Sequence, residues 1–504
     1  VELGLSGTIF LGMRGLSSLG RWLAASGVDV IGRLLVQILV TLLLARILAP
    51  EAFGASALAF SIVGVLQMVV GTPFEEVLVQ RAVARKSHFS AALAVTVAAC
   101  ALLLPGTLVL AAPLARLMDV ADLAVLLPVA ALLLPLAGVS AIYTALARRH
   151  RRFPLIALAN LAGHGAGGLA GAILGVMGAG VWSLVAWRIV LALVTALVLI
   201  WAQGGVLRPR WRSAALMDLR GFTLVNLADR VVEVLSLALL NVLVNAGLGV
   251  VAVGFLNMAL RLVEPVRGAV GGIGHNIAFS FFSRAQAHPD RLGRATLATI
   301  GEVGMVTAPV FLGLAAVMPV LLPLAAGEGW ESAVPIAQAL ALGAALATPM
   351  GFGFSALAAL GRPKYGLISS LLALSALCVV PPLAVSLGPL AAGLARMLAD
   401  GVEVLYLLRP LGRRLGLGSR AVPGALSRPL AAALPMAALV LALGAWVAPE
   451  TTEARAWTLV GQVVLGVVLF PLGALVLARA PLRSLMGRVA PGRFPPGGPG
   501  DRAP

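Results

Sequence analysis

The sequence predicts an all-α, polytopic membrane protein of about 14 transmembrane helices, arranged as two six-helix lobes related by pseudo-twofold symmetry plus two C-terminal helices. Three observations predict this class. Hydrophobic residues make up 60% of the 504 and charged residues only 11%, against roughly 45–50% and about 25% in a soluble domain. Basic residues alternate from loop to loop. Two stretches repeat at a near-constant offset. The mean hydropathy of +1.02 excludes both a soluble enzyme and a disordered chain.

A spanning helix needs about 20 apolar residues. Fourteen such stretches follow one another, at 22–46, 52–74, 89–114, 122–146, 153–178, 180–202, 219–246, 249–282, 296–326, 332–360, 365–386, 388–408, 429–448 and 457–478. The first follows a basic flank at Arg14 and Arg21, with no cleavable leader pattern before it. The eighth is long, and a break is expected near Pro265 or Gly271–Gly272, because proline removes a helix hydrogen bond. The tail 491–504 is rich in Pro and Gly and is expected to be a disordered cytoplasmic segment.

Cytoplasmic loops of membrane proteins carry the excess of Lys and Arg. Here the basic groups fall at the N-terminus and after every even span. They include Arg81, Arg85 and Lys86; Arg148, Arg149, Arg151 and Arg152; Arg208, Arg210, Arg212 and Arg220; Arg409, Arg413, Arg414, Arg420 and Arg428. Of the 37 basic residues, 28 lie on that side, three (Arg46, Arg116, Arg455) on the other, and six inside spans. The odd loops carry acids instead: Glu51, Asp119, Asp122, Glu328, Glu331, Glu450 and Glu453. Both termini are therefore expected on the cytoplasmic side. The net charge of +17 is mostly topology, so no nucleic-acid partner is called for.

Residues 19–71 align with 219–271 at an offset of 200, with twelve identities in 53 pairs, among them Asp29/Asp229, Gly54/Gly254 and Gly71/Gly271. Gly180–Arg188 aligns with Gly388–Arg396 at an offset of 208. This gives lobes 1–205 and 206–410, with 411–490 holding the last two spans. Six spans is an even number, so both lobes enter the membrane in the same sense and the pseudo-twofold lies along the membrane normal.

Charges inside a bilayer cost at least about 2.5–3.5 kcal/mol each at a helix centre, so they mark function or pairing. The mid-span arginines are Arg33, Arg188, Arg230, Arg261, Arg267 and Arg396. A guanidinium stays charged when partly buried and its planar fork matches phosphate oxygens, so a cavity lined by these groups suits an anionic headgroup. Arg188 and Arg396 stand first, because their repeat-related placement puts them on opposite walls of one cavity. Only Asp400 lies close to either along its own helix, four residues after Arg396. The simpler reading is local neutralisation: Asp29 with Arg33, Arg230 with Asp229 or Glu233, Glu264 with Arg261 or Arg267. Asp29, Asp229, Glu233 and Glu302 are candidates for ion coupling, since a low-dielectric site disfavours a bare carboxylate and favours its protonation. Glu264, Asp400 and Glu403 complete the buried acids.

Other features have plainer readings. Cys100 and Cys378 lie in apolar stretches and the five histidines are scattered, so neither a disulfide framework, a metal site nor a cofactor is expected. His164 sits among glycines that permit close helix packing and reads as a packing histidine. The glycine run 163–171 lies inside a span and is no phosphate loop. Arg148–Arg152 reads as a topological anchor with anionic lipid contact as a second option. Trp22, Trp182, Trp201, Trp211 and Trp330 stand near span ends, as interface aromatics do. Glu75 and Glu76 read as interfacial.

Three segments carry a family resemblance. "LLLARILAPEAFGASALAFSIVGVLQMVVGTPFEEVLVQR" (Leu42–Arg81) resembles the N-terminal signature of bacterial oligosaccharide flippases of the multidrug/oligosaccharidyl-lipid/polysaccharide superfamily. "RRFPLIALANLAGHGAGGLAGAILGVMGAGVWSLVAW" (Arg151–Trp187) is similar to that family's fifth and sixth spans. "GFLNMALRL" (Gly254–Leu262) and "FSFFSRAQAHPDRL" (Phe279–Leu292) are similar to its eighth span and the loop that follows. The resemblance covers residues 20–410. It implies two six-helix lobes around a cavity that opens alternately to each side. It also implies a cargo of undecaprenyl-pyrophosphate-linked oligosaccharide in the bacterial inner membrane, with membrane lipids, a polysaccharide polymerase and a chain-length regulator as partners. The first alternative is a cation-coupled multidrug or small-molecule exporter, which the arginine excess and the three tyrosines disfavour. The second is a membrane polymerase or ligase, disfavoured by outer loops of about ten residues, too short for a catalytic domain. A structural scaffold does not account for the mid-span charges. The expectation is a transporter, not an enzyme.

Overall fold

The computed structural model describes residues 18–70, 75, 77–79, 84–213, 224–285, 289–418, 420–479 and 481–482. The expected tail 491–504, both termini, and the side chains of Trp22, Asp29 and Asp229 lie outside the described residues. Among those described, the regular structure is all helix, as a bilayer demands: every backbone polar group must be satisfied within its own segment. The helices are α1 (Ser18–Ile47), α2 (Pro50–Val70), α3 (Lys86–Met118), α4 (Leu123–Ala130), α5 (Leu133–Arg149), α6 (Phe153–Val176), α7 (Trp182–Ala202), α8 (Leu224–Ala285), α9 (Pro289–Ala326), α10 (Ala333–Ala359), α11 (Lys364–Ala376), α12 (Val380–Leu387), α13 (Leu390–Arg414), α14 (Ala421–Val447) and α15 (Thr452–Leu477).

Eleven described segments are long and apolar enough to cross a membrane. The segment within α8 contains two crossings, and α1 and α13 supply two more. The described residues thus account for a helix at each of the fourteen predicted spans. α13 stands outside that set because Arg396, Asp400 and Glu403 put three charges in one span.

α8 corrects one expectation. No break occurs at Pro265 or Gly271–Gly272; the non-helical backbone is at Gly249, with φ 80° and ψ 174°. Asn257 Nδ2 donates to Asn241 Oδ1 at 2.8 Å. In a straight helix two residues sixteen apart would be roughly 24 Å apart, at 1.5 Å per residue. The chain therefore doubles back at Gly249, midway between them. Only glycine reaches that backbone region without strain, and the reversal falls where the predicted seventh and eighth spans meet.

Prolines inside spans are tolerated where a neighbour satisfies the freed carbonyl. Pro319 cannot bond Ala315 O, and Gln338 Nε2 of α10 donates to that oxygen at 3.0 Å.

The chain divides into two compact units, residues 1–48 with 58–223 and residues 49–57 with 224–504. In the first, Leu78, Phe89, Ala92, Leu93, Ile142 and Ala145 form one core cluster. Tyr143 closes the end of α7: its hydroxyl donates to Gly205 O at 3.0 Å and accepts from Leu207 N at 2.7 Å. The basic loop after α5 is bonded into this unit. Arg148 pairs with Glu75 at 3.0 Å, Arg149 donates to Leu78 O and Val79 O, and Arg152 donates to Ala202 O. Those arginines are structural as well as topological.

In the second unit the start of α2 crosses the second half of α8. Gly54 abuts the Val250 carbonyl, and Gly254 abuts the Pro50 carbonyl. The 200-residue offset relates Gly54 to Gly254 and Pro50 to Val250, so the two contacts are reciprocal. Trp330 caps this region edge-on against Phe53 at 5.0 Å and Phe255 at 6.1 Å. It is 2% exposed, so the expectation of an interface tryptophan is corrected: its ring is core, because two phenylalanines leave no face for solvent. Trp201 and Trp211 are exposed as expected. Large apolar side chains such as Leu102, Leu117 and Val385 are exposed along the spans, which suits lipid as the surrounding solvent.

Candidate functional site

In the first unit the site is built on α6 and α7. The glycine face of α6 lets α7 approach so closely that a side chain at Gly167 would stand 2.6 Å from the Trp187 carbonyl. This seats Trp187 in the core and leaves the next residue, Arg188, on the exposed side of α7. The Arg188 guanidinium lies 5.0 Å above the Phe60 ring, a cation–π contact worth about 0.5–1 kcal/mol at an exposed site. No described carboxylate pairs with it. His164 on α6 lies within electrostatic reach of Arg188 and of Arg33 on α1. Its Nδ1 is buried with no hydrogen-bond partner. Three helices thus place two guanidiniums within electrostatic reach of an imidazole.

In the second unit the arginines are differently provided for. Arg261 lies 5.2 Å over Phe53. Arg267 pairs with Glu264 at 3.3 Å and with Asp400 at 3.0 Å. Arg396 reaches Asp400 at 3.6 Å and Glu264 at 3.9 Å. Asp400 is 2% exposed and shared by both guanidiniums. Arg230 pairs with Glu233 at 3.6 Å, both well exposed, so the pair contributes little. Glu302 is buried in α9.

The repeat-related arginines have therefore diverged. Four residues beyond Arg396 stands Asp400; four residues beyond Arg188 stands Ala192. That one difference, readable in the sequence, separates an unopposed cation from a neutralised one. The sharing of Asp400 between Arg396 and Arg267, 129 residues apart in sequence, was not readable. Neither were the Phe60 and Phe53 platforms. The only signals were the i,i+3 and i,i+4 spacings. Chemically, the first cluster can hold a polyanion; the second already holds an internal one.

Residues 43–335 match the family described as "Polysaccharide biosynthesis protein". The succinoglycan biosynthesis transport protein ExoT of Rhizobium meliloti is 26% identical, over 61% of this chain and 62% of that protein. The teichuronic acid biosynthesis protein TuaB of Bacillus subtilis is 28% identical, over 34% of this chain and 38% of that protein. The chain thus spans less than two thirds of the length of either relative. Among solved structures, the lipid II flippase MurJ in an inward closed conformation superposes with a TM-score of 0.69 at 13% identity, over 91% of this chain and 98% of that one. An inward-facing multidrug resistance MATE transporter superposes with a TM-score of 0.60 at 17% identity, over 77% of this chain and 99% of that one. These two show the fold, a polytopic helical one with two lobes. With its matched segment covering more than half its length, this multi-pass membrane chain belongs to the polysaccharide biosynthesis protein family.

Proposed function

We propose that this protein is an alternating-access flippase. It carries a lipid-linked oligosaccharide, of undecaprenyl-pyrophosphate type, across the bacterial inner membrane for surface polysaccharide assembly. The observation that carries the reading is Arg188: a mid-span guanidinium, exposed, stacked on Phe60 and opposed by no described carboxylate. A cation costly to hold in a bilayer is retained where it meets a passing anion. Arg33 stands beside it in the same role, and Arg267, Arg396, Arg261 and Arg230 follow in the second unit. Transport by ExoT and the polysaccharide pathways named for both relatives support the cargo class. The cargo crosses without a covalent bond being made or broken, so the chain is a transporter and not an enzyme. Asp29, Asp229, Glu233 and Glu302 remain the candidates for ion coupling. A polymerase and a chain-length regulator are the partners this role implies.

The test is Arg188→Ala in liposomes carrying a fluorescent lipid-linked oligosaccharide. Losing charge-assisted bonds of about 1.5–3 kcal/mol should slow flipping roughly 10–150-fold, with Arg188→Lys intermediate. A correctly folded Arg188→Ala protein that flips at the parent rate removes Arg188 from the site. A parent protein that flips no such lipid ends the cargo assignment.

Orientation follows from the loop charges, with both termini on the cytoplasmic side. In a background of Cys100→Ser and Cys378→Ser, Glu328→Cys should react with an impermeant maleimide in intact cells. Arg208→Cys should react only after the cells are opened. The reverse pattern would invert the topology.

A further inference from the structure

The second unit holds an arrangement that its arginines alone do not explain. Arg267 from α8 and Arg396 from α13 converge on one oxygen, Asp400 Oδ1, at 3.0 and 3.6 Å. The other oxygen, Oδ2, is buried and accepts no hydrogen bond. It is backed by bare helix: a Cβ built on Gly343 of α10 would stand 2.7 Å from it. α10 brings no charged group to the cluster. The guanidiniums keep 18% and 26% exposure and Glu264 keeps 40%, while Asp400 behind them has 2%. Glu403, one turn further along α13, lies within electrostatic reach of Arg267.

The geometry is poorly matched for a purely structural ion pair. Two forked donors share one carboxylate oxygen, and the second oxygen is left dry, which costs the pair much of its bonding capacity. A diphosphate, with oxygens enough for both forks, would saturate the same two cations from their exposed side. The repeat points the same way: the first unit has Ala192 where this one has Asp400.

We propose that Arg267 and Arg396 form a second diphosphate site, latched by Asp400 as a built-in substitute anion that an external one displaces. The ligand class rests on the function proposed above; the latch is a separate claim. Removing the carboxylate's charge should therefore increase anion binding. A merely structural salt bridge predicts the opposite, a loss of fold with no gain.

The experiment is isothermal titration of the full-length chain in detergent with inorganic pyrophosphate, on the parent, Arg188→Ala, Asp400→Asn and the Arg188→Ala/Asp400→Asn pair. Asp400→Asn should tighten binding about tenfold, or add a second event, in either Arg188 background. Adding Arg267→Met should abolish that gain. If Asp400→Asn aggregates on size exclusion, Glu264→Gln carries the test, since Glu264 is more exposed and neutralises the same two arginines. No gain from a folded variant in either background overturns the latch. Parent-like binding by Arg188→Ala counts instead against the first-unit site, and leaves the Asp400 comparison standing.

Discussion

Gly254→Ala should lower the stability of this protein by at least about 3 kcal/mol, the upper end of the overpacking range. The atoms in the way are backbone. A Cβ at Gly254 would meet the Pro50 carbonyl oxygen, with the Pro50 carbonyl carbon at 2.7 Å. No rotamer change relieves this; α2 and α8 must move apart, losing the small-residue packing and Cα–H···O contacts that hold membrane helices together. Gly54→Ala should behave alike, because its Cβ would meet the Val250 carbonyl. Gly64→Ala, further along α2 with nothing within 4 Å, should stay within about 0.5 kcal/mol of the parent. Thermal unfolding in one detergent, followed by fluorescence size exclusion, reads all three. A Gly254→Ala protein that melts with the parent would mean that the crossing is looser than described.

Arg267→Ala should cost about 3–5 kcal/mol, the usual penalty for stripping one partner from a buried ion pair. Asp400, at 2% exposure, would keep a charge it cannot pass to water, with Arg396 at 3.6 Å as its remaining partner. Replacing both, Arg267→Met with Asp400→Leu, should recover most of the loss, since well-packed apolar side chains of similar volume often match a buried pair. The double-mutant cycle gives the coupling directly. Strictly additive losses would show that the two side chains do not act as a pair. This prediction concerns stability alone and is separate from the gain in anion binding expected of Asp400→Asn, where the amide keeps the shape.

Much of the fold is legible in the sequence alone. A spanning helix satisfies its own backbone and faces a uniform apolar solvent, so hydropathy finds it without knowledge of its neighbours. Hence each of the fourteen predicted spans has its helix, and α13 was found despite its charges. The 200-residue offset pairs Gly54 with Gly254, and each of these glycines abuts a carbonyl of the other's segment. The break expected inside the eighth span is absent, because a proline's chemistry does not by itself say whether the helix kinks; the reversal at Gly249 falls where the predicted spans 219–246 and 249–282 meet. Trp330 was misplaced for a related reason: nearness to a span end does not say whether Phe53 and Phe255 already enclose the ring.

The candidate site was legible as a set of residues and not as a set of relations. The sequence alone determined which cations lie within spans, and that Asp400 follows Arg396 by one helical turn while Ala192 follows Arg188. Only the tertiary structure decided that Asp400 also receives Arg267 and that Arg188 rests on Phe60. The reason is the range of the forces. Membrane insertion and i,i+4 pairing act within one helix and are written along it. The partner of a guanidinium across a bundle is chosen by which helix faces pack, and that depends on the whole chain at once.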